Sequence, residues 1–397
     1  MPVEAPRRET VQQLSPYVEA FERMPHDETR RAAFERFLAL GFPTSRDEEW
    51  RFTNLAALAR MNFAPAEARD PALAERIVAT LPRSRNIVLL NGRHTASHEI
   101  PKVQAGKHFE NLENAFLSLN TALYADRTVV HVVGIQLEPI HIIHISLPGA
   151  RPAMTHPRTL LVFDPNAQGT VVETFVGENV YFNNAVTQIV AGERAVVEHI
   201  KIQRESPDSF HISNLLIEQA CGSVVTSRSF AFGASLARTE IQAVLSEGSE
   251  CILNGLYIVN GEQHVDTRTV IDHAKPHAES HELYKGILDG QSSAVFNGKI
   301  IVRKDAQKTD AKQTNKNLVL SEDATINTKP QLEIFADDVK CTHGATVGQL
   351  DADSMFYLRS RGIGAEAARA MLIQAFAREV VDGIKSEKFR EYVGKFV

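Results

Sequence analysis

Cysteine is scarce in this chain of 397 residues, with Cys221, Cys251 and Cys341 the only three. Their odd number and wide spacing make a poor disulfide framework and fit a reducing compartment. There is no CxxC pair and no four-ligand zinc pattern, so nothing in the spacing marks a structural zinc site. An excess of one charge is also missing. The balance of 43 basic against 49 acidic residues leaves a net charge of -6, which offers no global attraction to nucleic acid or to an anionic membrane surface. No run approaches the roughly 18 uninterrupted apolar residues of a membrane span. The opening MPVEAPRRETVQQL lacks the apolar core of a signal peptide, and a cytoplasmic protein is expected. No GxxxxGK[ST] sequence occurs, so any nucleotide energy must come from a partner, and no flavin motif is visible.

What is present is an ordinary globular composition, 43% hydrophobic and 23% charged, sufficient for one sizeable core with smaller units appended. Residues from about Thr10 to Leu81 read as helical. Phe34, Phe37 and Leu38 recur at i, i+3 and i+4, and Gly41 and Pro43 end that helix. From Asn86 the period changes to short β-branched segments such as NIVLLNG, TLLVFD, RAVVEHIKIQ and KIIVRKD, punctuated by Gly, Asn and Asp, with almost no helical periodicity until about Gly348. Two antiparallel sheets could use such strands, but the stretch is long for one sandwich. Gly169, Gly192, Gly222 and Gly248, spaced 23, 30 and 26 residues apart, are compatible with stacked, irregular coils. Beyond Asp351 the helical period returns, and Ala368, Met371, Leu372, Ala375, Phe376 and Val380 form one apolar stripe. Three regions result: helical 1–85, strand-rich 86–348 and helical 349–397.

The chemistry concentrates in DDVKCTHGATVGQLD, Asp337 to Asp351. Cys341 and His343 are two residues apart, and on a strand that spacing turns both to one face. Thiolate and imidazole form a soft pair suited to iron or zinc, but two ligands do not close a tetrahedral site, which points to an interface supplying the rest. His273, His277 and His281 stand at i, i+4 and i+8, yet Pro276 interrupts any helix that would align them, so a loop between coils is expected. His141 and His144 fall on opposite faces of a strand and read as half-buried. Cys221 and Cys251 read as buried structural thiols. Arg303, Lys304, Lys308, Lys312 and Lys316 alternate with Asp305 and Asp310, which marks a solvated turn or ladder edge over a phosphate site.

The Asp337–Asp351 passage with MFYLRSRGI after it, SRDEEWRFTNL (Ser45 to Leu55), FNGKIIVRKDAQKTDAKQTNKNLVLSEDA (Phe296 to Ala324) and KPQLEIFADDV (Lys329 to Val339) together resemble the SufB/SufD family of the SUF iron-sulfur cluster assembly system. The resemblance spans essentially the whole chain. It implies a mainly β protein with a right-handed parallel β-helix core flanked by N-terminal and C-terminal helical regions. It further implies a non-catalytic scaffold that pairs with a SufB-like paralogue, binds the SufC-like ABC ATPase and shares a transient iron-sulfur cluster at the paralogue interface through Cys341 and His343. The family places ATPase docking in the C-terminal helices, here at Phe356, Tyr357, Arg359, Arg361, Met371, Leu372 and Phe376. A flavin has been suggested for the family's complex, and the resemblance leaves open both that and a homodimer of the isolated chain. The sulfur-accepting cysteine of SufB-like chains, in a Cys-Thr-Ala-Pro-like setting, has no match here, and Gly344 stands where those chains tend to carry Glu, so the likeness is to the SufD branch. The rivals from other classes are a polysaccharide lyase or hydrolase on a β-helix, which needs clustered carboxylates on one sheet face, and a stand-alone metal-binding protein.

Overall fold

The computed structural model describes residues 8–67, 69–96, 101–103 and 114–397, with side chains from residue 13 onward. At the N-terminus, helix α1 spans Arg8–Glu22 and α2 spans Glu28–Leu40. The α2 helix starts where the Asp27 carboxylate accepts a hydrogen bond from the backbone N–H of Arg30, which satisfies one of the free donors of the first turn. It stops at Gly41, whose φ of 65° lies where glycine is favoured. Phe34 and Phe37 of the expected stripe are buried, whereas Leu38 is exposed. A 3-10 turn over Glu48–Trp50 and the short helices α3 (Ala56–Arg60) and α4 (Ala72–Val78) complete this region.

The centre is a parallel β-solenoid. Successive strands alternate between two ten-stranded sheets, and nearly all pairings are parallel; a short hairpin of Arg85–Leu90 with Arg93–His94 is antiparallel. In one sheet the register runs Gln168 to Val196 to Val224 to Glu250 to Glu279 to Asp310 to Lys340, so each coil takes 26 to 31 residues. The spacing is held at one corner by a column of left-handed residues: Asn166, Arg194, Gly222, Gly248, His277 and Lys308, all with φ between 55° and 63° or, for Gly222, 65°. Each donates its backbone N–H to a carbonyl of the next coil, at Glu193, Cys221, Glu247, Pro276, Gln307 and Asp338 in turn. The hydrogen bond offsets the cost of that backbone conformation at the non-glycine positions.

One helix stands inside the strand-rich region, contrary to the expectation of unbroken strands there. Helix α5 (Ala115–Leu123) is apolar and buried on nearly every side, so its sequence carries no amphipathic period to distinguish it from a buried strand. It packs with Tyr17, Phe34, Phe37 and Trp50 against Phe182 and Phe210 on the outer face of one sheet. Helices α6 (Ala352–Ser360), α7 (Ala365–Val381) and α8 (Glu387–Gly394) follow the last strand. Ala377, Val380, Ile384, Phe389 and Val393 cover the outer face of the second sheet over Ile143, Ile200, Phe230 and Leu256. The third core is the solenoid interior, running from Leu89 to Ala336. No helix is long and apolar enough to cross a membrane among the described residues.

Candidate functional site

The last coil leaves the solenoid open. Its two strands, Thr325–Ile334 and Lys340–Gly348, are each paired on one side only, with Ser293–Val302 and Asp310–Val319. In Asp310–Val319 the residues Ala311, Gln313, Asn315 and Asn317 are buried in the interior, and their register partners are Cys341, His343, Ala345 and Val347. Strand pleating therefore turns Cys341 and His343 to the interior side, where no further coil covers them. Cys341 is half-buried against the core, and His343 is exposed. Ile334, Phe335 and Val347 add exposed apolar side chains to the same rim.

Burial pushes the Cys341 thiol above its ordinary pKa, the nearby Asp310 carboxylate adds to this, and a backbone hydrogen bond from Ala311 opposes it. The free thiol is thus held protonated until a cation or a metal compensates the charge. Among the described residues no group of three or more His, Cys, Asp or Glu is arranged to hold a metal ion, so Cys341 and His343 stand as a pair.

The other residues marked in the sequence fall elsewhere. His273 is buried and hydrogen-bonded to Ser280 at 2.9 Å, with burial pushing it down to about 4, and His277 lies in the corner column, so the three-histidine alignment does not form. His141 and His144 do face opposite ways, but both are fully buried, not half-buried. His141 meets Phe389 of α8 on the outer face, and His144 meets Glu173 at 3.2 Å. Cys251 is buried as expected, whereas Cys221 is exposed, because it sits at the corner before Gly222 and outside any strand. The basic run is laced into ion pairs: Arg303 with Asp272 and Lys308 with Asp338 across coils, Lys312 with Asp310 along one strand, and Lys316 with Glu379 of α7.

The SRDEEW passage proves to be a latch. The Trp50 ring lies 3.8 Å from the Arg238 guanidinium, Glu49 pairs with Arg268, and Glu48 reaches Lys329 at 2.7 Å. The Lys329 ammonium holds the Glu48 carboxyl below its ordinary range. These contacts fasten the N-terminal region to three strands of one sheet, over a span of four coils.

In the C-terminal region α6 buries none of its residues, and Phe356, Tyr357 and Met371 are 74%, 56% and 48% exposed. Arg361 lies over the Tyr357 ring at 5.2 Å. The buried side of α7 is Ala368, Ala377, Val380 and Val381, so the stripe is rotated from the one expected: Met371 faces out, Leu372 is half-buried, and Phe376 is a partly buried anchor under the Lys285 ammonium at 4.4 Å. Arg359 and Arg361 are exposed.

Sequence reasoning passed over the polar interior beneath the open end, where Glu282 and Gln313 are buried and bonded at 2.6 Å. The signal was available in AKQTNKN, which places three amides at alternate positions with Thr314 and Lys316 between them, the pattern of a strand whose polar side chains face inward.

Helices flank the parallel solenoid on two sides, and a thiol and an imidazole stand at its unpaired end. The domain described as SUF system FeS cluster assembly, SufBD core, matches residues 145–376. An iron-sulfur cluster assembly SufBD family protein of Synechocystis sp. is 37% identical over 89% of this chain and 86% of its own length. The iron-sulfur cluster assembly protein SufD of Escherichia coli is 33% identical over 90% of this chain and 89% of its own. This chain belongs to the SufBD family of iron-sulfur cluster assembly proteins, and it is SufD-like.

Proposed function

We propose that this chain is a non-catalytic scaffold subunit in the cytoplasm that pairs with a SufB-like paralogue through the open end of its solenoid and contributes Cys341 and His343 to a nascent iron-sulfur cluster there. The observation that carries the reading is that both side chains face the interior of a last coil whose strand edges are unpaired. A partner coil added to Lys340–Gly348 would pair its backbone donors and acceptors and bring its own ligands over Cys341. Cys341 would bind as thiolate, and His343 would be the more labile nitrogen ligand that eases release.

The α6–α7 region docks a SufC-like ABC ATPase in this account, through the exposed Phe356, Tyr357, Arg359, Arg361 and Met371, with Leu372 and Phe376 behind them. The three-part division at 1–85, 86–348 and 349–397 follows these roles: latch, scaffold and docking unit, with α5 lent to the first. The test is co-purification without oxygen of the complex with SufB-like and SufC-like partners. Cys341→Ala or His343→Ala is expected to leave the complex assembled and to lower its iron and sulfide. Unchanged iron and sulfide contradict the reading.

A further inference from the structure

Directly beneath His343 in the solenoid lies a buried amide with an unused acceptor. Gln313 is 1% exposed, and its Nε2 donates to Oε2 of Glu282, one coil further in, at 2.6 Å. The side chain crosses towards the opposite sheet, where Gly298 makes room: a Cβ at that position would fall 2.1 Å from the Gln313 Nε2. With Nε2 committed to the carboxyl group, Gln313 Oε1 is left buried with no hydrogen-bond partner among the described residues. A buried acceptor without a donor is costly, so a turn of a neighbouring side chain that brings an N–H to it is favoured. The residue in register with Gln313 towards the open end is His343, on the same interior-facing side of its strand.

We propose that Gln313, anchored by Glu282, accepts a hydrogen bond at Oε1 from one ring N–H of His343 and so fixes the tautomer that leaves the other ring nitrogen free to bind metal. The inference rests on the cluster-site reading above and adds a positioning residue to it. A neutral imidazole carries one N–H and one lone pair, so the hydrogen bond made by one nitrogen decides what the other can ligate. Metal-bound histidines are ordinarily held this way by a carboxylate or carbonyl behind them. Burial raises the Glu282 carboxyl to about 7, with Gln313 and Thr269 pulling it back. It thus stays within reach of neutrality while it holds the amide.

The test is NMR of the full chain with 15N-labelled histidine at pH 8, where His343→Ala identifies the His343 signals. In the wild type one tautomer is expected to dominate. Gln313→Met should relax it to the mixture of a free imidazole while the other histidines keep their signals. Gln313→Glu, which keeps an oxygen in place, should restore it. Gln313→Asn, which withdraws the amide by one methylene, carries the same expectation as Gln313→Met if that variant does not fold. His343 signals that do not move in either overturn the proposal. In the complex with SufB-like and SufC-like partners, Gln313→Met should speed loss of iron to a chelator by about tenfold or more, the usual effect of losing a residue behind a metal ligand. If His343→Ala keeps its iron while the tautomer effect is present, the contact stands and the cluster reading fails. If His343→Ala loses iron and the tautomer is unmoved in Gln313→Met, the cluster reading stands and the contact fails.

Discussion

At the scale of single residues, the fold keeps several ionisable groups dry, both inside the solenoid and beneath the helices on its faces, and their titration sets how it responds to pH. His141 and His156 are both held down to about 3 by burial, so both are neutral when folded. In the unfolded chain they protonate below their ordinary 6.5, which favours unfolding; their stabilisation is present above that value and is lost as pH falls towards 3. Each should cost about 2 kcal/mol of stability between pH 7 and pH 5. Urea unfolding at the two pH values measures this, and His156→Phe should flatten the dependence. Glu282 runs the other way. Its folded value near 7 lies above the ordinary 4.5, so ionisation penalises the folded state as pH rises through that window. Glu282→Gln should therefore gain about 2 kcal/mol more at pH 8 than at pH 5. An equal effect at both would show that the carboxyl titrates normally.

At the scale of elements, the edge strand and α6 are the parts with least to hold and most to offer. Val347 is 53% exposed on a strand with one unpaired edge, so Val347→Lys should change the stability of the chain by no more than about 0.5 kcal/mol. The same charge on the rim should weaken pairing with a SufB-like partner, which analytical ultracentrifugation reads directly. Phe356→Asp, on a helix that buries nothing, should keep the melting temperature and weaken binding of a SufC-like ATPase by tenfold or more. Ala377→Asp, placed between α7 and the sheet, should unfold the region instead. This contrast also shows what the sequence made legible. The spacing of Cys341 and His343 announced a shared face, and β-branched segments announced strands. Which face was inside, and that the stack ends there, depends on coils far apart in sequence. The turn glycines marked the period only partly. Gly222 and Gly248 belong to the left-handed corner column, but Asn166, Arg194, His277 and Lys308 fill its other places. Gly192 serves a different need, since a Cβ there would meet the Pro165 nitrogen at 2.7 Å. Helix α5 and the rotated face of α7 escaped for one reason: a segment apolar on several sides does not declare which side is buried.

At the scale of the whole molecule, the chain is layered: a helical latch on one sheet, a polar and apolar interior, a second sheet, and helices that cover it but stop short of the final coil. In the proposed complex, the packed coils connect the ATPase-docking helices to the open end. Closure of two SufC-like subunits should then change access to Cys341. Thiol labelling of the assembled complex in a Cys221→Ser background, which removes this chain's exposed cysteine, should differ at least severalfold with and without ATP. A constant rate would mean that the scaffold does not transmit the stroke. The most direct measurement remains the iron and sulfide content of the oxygen-free complex, wild type beside Cys341→Ala and His343→Ala. Loss of both elements from a complex that still assembles is the predicted result. Full cluster in both variants would contradict it, and would reduce Cys341 and His343 to packing at the end of a solenoid.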